Sequence, residues 1–86
     1  MYVVELSFDG SPDRLALRPA HREILKDLRD RGLLVMAGPW ADDSGALLIF
    51  NVEDEQEVAR LMDADPYYRA QGVTITRRTA WSPIVT

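Results

Sequence analysis

No cysteine occurs anywhere in the chain. Disulfides, thiolate nucleophiles and cysteine-based zinc sites are therefore excluded, and a cytoplasmic location fits. Histidine occurs once, as His21, so neither H-x-H nor H-x-x-x-H spacing exists and no metal site is expected. Basic runs are also missing: only Arg77 and Arg78 adjoin, within a net charge of −4. An acidic surface repels phosphate backbones, so nucleic acid is not an expected partner. No apolar stretch approaches the roughly 20 residues that span a bilayer. The first residues, MYVVELSFDG, lack a basic start and carry Glu5 inside their apolar run, so neither a membrane span nor a signal peptide is expected. A G-x-S-x-G elbow is absent, which speaks against a serine hydrolase. So is any phosphate-cradling glycine loop, and no cofactor is expected.

What is present reads as one globular domain over residues 1–86, with 47% hydrophobic and 28% charged residues. MYVVELSF (1–8) is β-branched and aromatic and ends at the turn signal Asp9-Gly10. A helix follows, starting either at Ser11–Asp13 or at Arg18–Pro19, since proline is tolerated in a first turn. It runs to about Arg31, with Gly32 as the stop. LLVMAGPW (33–40) and ALLIFNV (46–52) form a hairpin around ADDSG. Asp54 caps a second helix, with Glu57 in capping-box position, and that helix runs to Pro66. YYRAQG bridges to a last strand, VTITRRTAW (73–81). The order βαββαβ predicts an α+β, ferredoxin-like sandwich: an antiparallel four-stranded sheet with both helices on one face.

In the third strand Ala46, Leu48 and Phe50 point one way, and Leu47 and Ile49 the other. In the second, Leu33, Val35 and Ala37 oppose Leu34 and Met36. Both sheet faces are apolar, but two helices cover only one. A second copy covering the other face, in a homodimer built as an α/β barrel, is the expected solution.

Each helix carries one ionisable residue on its apolar stripe. His21 lies four after Leu17 and three before Ile24, in line with Leu28 and flanked by Leu25 and Ala20. Asp65 continues the stripe of Val58, Leu61 and Met62. Neighbouring helices on one face would bring the two side chains together if the helix ends are suitably offset. A His–Asp pair fixes the imidazole tautomer and supports a general base. The alternative is structural, with each side chain bonded to nearby backbone.

The segments RPAH (18–21), AGPW followed by DDSG (37–45) and DADPYY (63–68), in this order and spacing, resemble the YciI-like (YCII-related) proteins over essentially the whole chain. The resemblance implies the ferredoxin-like fold, a dimeric α/β barrel and an active-site His–Asp pair falling on His21 and Asp65. A related member is a dehydrochlorinase of a chlorinated hydroxyquinol, and similar barrels include muconolactone isomerases.

Further candidates surround the pair. Arg18 is placed to hold a substrate carboxylate or phenolate. Ser44 offers a hydroxyl, Gly38 and Pro39 lie at a strand end that commonly lines pockets, and Tyr67 and Trp40 are candidate pocket walls. Each also has a plain reading as turn or packing residue. The expected function is a small cofactor-independent enzyme of the lyase or isomerase kind acting on a small-molecule ligand, for example by proton abstraction or dehydrochlorination. In it His21 is the base, Asp65 orients it and Arg18 steadies an oxyanion. A non-catalytic dimeric binding module and a purely structural interaction domain are the competing expectations.

Overall fold

The computed structural model describes residues 1–86. Alternating apolar residues make β1 (Tyr2–Phe8), which pairs antiparallel with both β3 (Gly45–Phe50) and β4 (Val73–Ala80). With β2 (Leu34–Pro39) the sheet order is β2-β3-β1-β4. The helices α1 (Asp13–Asp30) and α2 (Glu55–Asp63) complete βαββαβ, the ferredoxin-like order expected. No helix is long and apolar enough to cross a membrane.

Val4, Leu6, Leu48 and Phe50 all face the helices and are essentially sealed, together with Val58 and Met62 of α2 and Leu28 of α1. Each such side chain contributes about 1.5–3 kcal/mol of burial. The inward set Ala46, Leu48, Phe50 is as the alternation predicts. The second strand is not. Its register against β3 shifts between Leu34 and Met36, so Leu34 pairs with Phe50 and Ala37 with Leu48, on the helix side, while Met36 pairs with Ile49 on the open side. One extra residue in a bulge reverses the parity of everything after it. Met36 is 62% exposed and Val35 is also exposed.

Of the two helix starts left open, the earlier one holds. Pro12 is the cap residue, Asp13 the first helical position, and Pro19 lies inside α1. There Pro19 is solvent-exposed and forgoes only one backbone bond. Ala20, expected beside the buried stripe, is exposed as well. The helix ends as predicted. Gly32 has φ +78°, its N–H donates to the Arg29 carbonyl at 2.9 Å, and Leu33 N–H donates to the Leu28 carbonyl at 2.9 Å. This is the paired-bond stop that glycine permits.

The second helix stops sooner than expected, at Asp63. Pro66 forces Asp65 into an extended conformation (φ −119°, ψ 112°), and Pro66–Arg69 forms a 3-10 turn instead. At the other end Asp54 does cap, accepting from Gln56 N–H at 2.8 Å, but Glu57 makes no return bond.

Candidate active site

Three buried residues of α1, Arg14, His21 and Leu28, are spaced seven apart and so form one stripe along the helix. Because α1 starts early, His21 lies midway along it rather than near its beginning. That supplies the axial offset needed to meet a residue beyond the end of α2.

That residue is Asp65. Its extended backbone releases the carboxylate from the helix, and it acts in two directions. Oδ1 accepts the Tyr67 backbone N–H at 3.0 Å, capping the 3-10 turn, and Oδ2 lies 2.6 Å from His21 Nδ1. His21 is 7% exposed and Asp65 2%. An ionised carboxylate only accepts, so the ring donates from Nδ1, which makes Nε2 of a neutral ring the basic nitrogen. Nε2 has no protein partner. The only buried side-chain N or O atom that is both sealed and unpartnered is Arg14 Nε, so Nε2 keeps an accessible surface, and His21 lines a cavity.

Aromatic rings fix the imidazole plane. Tyr67 stacks on it at 3.9 Å between centroids and 7° between planes, and Tyr68 meets it edge-on at 5.4 Å and 89°. Burial pushes the Tyr68 phenol well above its ordinary value, and the nearby Asp65 carboxylate adds to that. Tyr68 therefore stays neutral beside the pair.

Arg14 extends the network. Its Nη2 donates to Asp43 Oδ2 at 2.7 Å and its Nη1 to the Tyr67 hydroxyl at 3.4 Å, while the guanidinium lies 3.9 Å from the centre of the Phe8 ring. Burial opposes the Arg14 charge. The hydrogen bonds to Asp43 and Tyr67, with their electrostatic attraction, outweigh it and hold the guanidinium above its ordinary range. Asp43 presents its carboxylate from a left-handed backbone position, φ 59°, which aspartate tolerates better than most residues. Both ends of Tyr67 are thus held: backbone by Asp65, hydroxyl by Arg14.

The cavity has a volume of about 360 Å³. Of the residues singled out from the sequence, His21, Arg18, Gly38, Pro39 and Tyr67 line it, and Asp65 supports His21 from behind. Ser44 does not line it. Its N–H donates to Asp42 Oδ1 at 3.0 Å and its carbonyl accepts from Phe8 N–H at 2.8 Å, as a turn residue would. Trp40 is not on the wall either and is 41% exposed. Arg14, Asp43 and Arg22 are wall residues that sequence reasoning passed over. Arg14 stands seven before His21, a signal hidden by the undecided helix start. No group of three or more His, Cys, Asp or Glu residues is placed to hold a metal ion.

A model of the YCII-related domain matches residues 1–82. The chain belongs to the YCII-related family. No curated protein matches it. In this YCII-related chain the separated segments RPAH, AGPW, DDSG and DADPYY all contribute to one place: Arg18 and His21, Gly38 and Pro39, Asp43, and Tyr67 surround the same cavity.

Proposed function

We propose that this YCII-related chain is a cofactor-independent enzyme of the lyase or isomerase kind. His21 Nε2 removes a proton from an activated carbon or hydroxyl of a small molecule in the cavity. The observation that carries this is the 2.6 Å bond from buried Asp65 to Nδ1 of a histidine that lines the cavity and whose opposite nitrogen is neither bonded nor sealed. As the C–H or O–H bond breaks, its proton moves to Nε2 and the imidazolium rests against Asp65. The electron pair left behind shifts to an adjacent oxygen steadied by Arg18, or expels a leaving group such as chloride from the neighbouring carbon. In an isomerisation Nε2 returns the proton elsewhere on the same molecule.

The sheet face away from the helices exposes Met36 and leaves Leu47 half-buried. A second copy covering that face is part of the same proposal, and sedimentation at micromolar concentration is expected to show a dimer. The catalytic reading is tested by screening halogenated hydroxy acids and hydroxylated aromatics. Chloride release and deuterium incorporation from D₂O are followed for the parent and His21→Ala. Loss of about 10²–10⁴-fold in rate with the dimer intact is expected for a general base. Turnover equal to the parent's, or ligand binding with neither turnover nor exchange, would reject it.

A further inference from the structure

Although the chain carries a net charge of −4, the cavity gathers five of its ten Lys and Arg residues: Arg14, Arg18, Arg22, Lys26 and Arg29. All five come from α1. Three are neutralised locally, Arg14 by Asp43 at 2.7 Å, Lys26 by Glu23 at 3.3 Å and Arg29 by Asp30 at 3.1 Å. Arg18 and Arg22 have no carboxylate within ion-pair distance. They stand one turn apart on either side of His21, and like charges at that spacing work against the helix itself. An uncompensated cationic pair on a cavity wall raises the local concentration of anions, even when the rest of the surface is negative.

Facing the arginines, the wall is apolar: Leu34, Ala37, Ala46 and Leu48, with the Phe8 ring at the Arg14 end. One buried cation of the same wall, Arg14, 6% exposed, keeps its Nε without any partner. At about 360 Å³ the volume lies at the lower end of ligand sites and suits a body of about one ring.

We infer that the ligand is an amphiphilic organic anion. Its single carboxylate or phosphate group sits between Arg18 and Arg22, and its aryl or alkyl body lies on Leu34, Ala37, Ala46 and Leu48, beside His21 Nε2. The inference deepens the proposed function by naming its substrate class. The anion site itself rests only on the two arginines and the apolar wall. A nucleic-acid backbone is a poor occupant, since outside this cavity the chain is acidic.

The test titrates the ¹⁵N-labelled full chain with benzoate, with inorganic phosphate and with uncharged benzamide, following backbone amides and arginine Nε–H resonances. Benzoate is expected to shift Arg18 and Arg22 together with Leu34, Ala37 and Ala46, and to weaken as salt is raised. Benzamide is expected to bind at least about tenfold more weakly, and the Arg18→Gln/Arg22→Gln double variant to lose about tenfold or more in benzoate affinity. Both replaced side chains are partly or fully exposed, and a thermal melt verifies that the variant is folded. Tighter binding of benzoate than of phosphate at these arginines assigns a carboxylate, and the reverse order assigns a phosphate ester. Equal binding of benzamide and benzoate, undiminished binding by the double variant, or no shift of Arg18 and Arg22 with either anion would overturn the inference. His21→Gln separates the two readings: it is expected to keep benzoate binding, whatever becomes of proton transfer.

Discussion

Replacing Asp65 with alanine removes the acceptor for two buried donors at once, His21 Nδ1 at 2.6 Å and Tyr67 N–H at 3.0 Å. A buried donor left without an acceptor costs about 1–3 kcal/mol. Both orphans lie in surroundings sealed by Tyr67 and Tyr68, so water has little room to substitute. The two losses share one residue and are not independent, which places the expected destabilisation at about 2–5 kcal/mol. In a domain of this size each kcal/mol lowers the melting temperature by about 4–8 °C, so a fall of at least ~8 °C is expected. Asp65→Asn keeps an oxygen for the Tyr67 N–H but turns its amide NH2, a donor, toward His21 Nδ1, so the ring keeps a bond there only by switching to the Nε2–H tautomer and accepting at Nδ1. Its cost is expected to be about 1–2 kcal/mol. Urea unfolding at several protein concentrations separates these effects from any change in association. Long-range ¹H–¹⁵N NMR of the single histidine reads its tautomer directly. An Asp65→Ala variant within about 0.5 kcal/mol of the parent, or a parent ring protonated at Nε2 alone, would refute the geometry-based reasoning.

Two further outcomes follow from the surroundings. Tyr68 is held neutral in the fold, whereas in the unfolded chain it ionises near pH 10. The unfolded state therefore releases its proton first, and stability falls above pH ~10 by about 1.4 kcal/mol per pH unit, with no contribution below. Urea midpoints between pH 8 and 11 check this, and an equal alkaline slope in Tyr68→Phe would contradict it. A methyl group at Gly45 would collide with the Leu6 carbonyl and crowd the Trp40 ring, while one at Gly38 would meet nothing. Gly45→Ala is expected to cost about 1–3 kcal/mol and Gly38→Ala under ~0.5 kcal/mol, as thermal melts of the two side by side will show.

The element order was legible in the sequence because β1 alternates, β2 and β3 are short apolar runs, and each turn carries a glycine, proline or aspartate. His21 and Asp65 were legible because a titratable group on an apolar stripe breaks a simple pattern. Their union was not. It depends on α1 beginning at Asp13, which two prolines at Pro12 and Pro19 left ambiguous, and on Pro66 turning Asp65 out of the helix. The β2 bulge was invisible, since alternation carries no mark where a residue is added. Arg14 and Asp43 escaped because a charged residue near a helix start and an aspartate in a turn are ordinary on a surface. Only the packing of Phe8 and Tyr67 makes Arg14 interior, and Asp43 reaches it from a turn that stays exposed.

The bonds that define this site join distant parts of the chain: 44 residues separate His21 from Asp65, 29 separate Arg14 from Asp43, and 53 separate Arg14 from Tyr67. Such closures carry a large loop entropy and form late relative to helices and hairpins. A nascent chain can complete α1 and the β2–β3 hairpin while His21 still lacks its carboxylate. Only when DADPYY swings back onto α1 do the imidazole, the stacked ring and the buried guanidinium acquire partners. Assembly of the site and closure of the fold are then one event, and a chain that stops folding short of it has no partly working cavity.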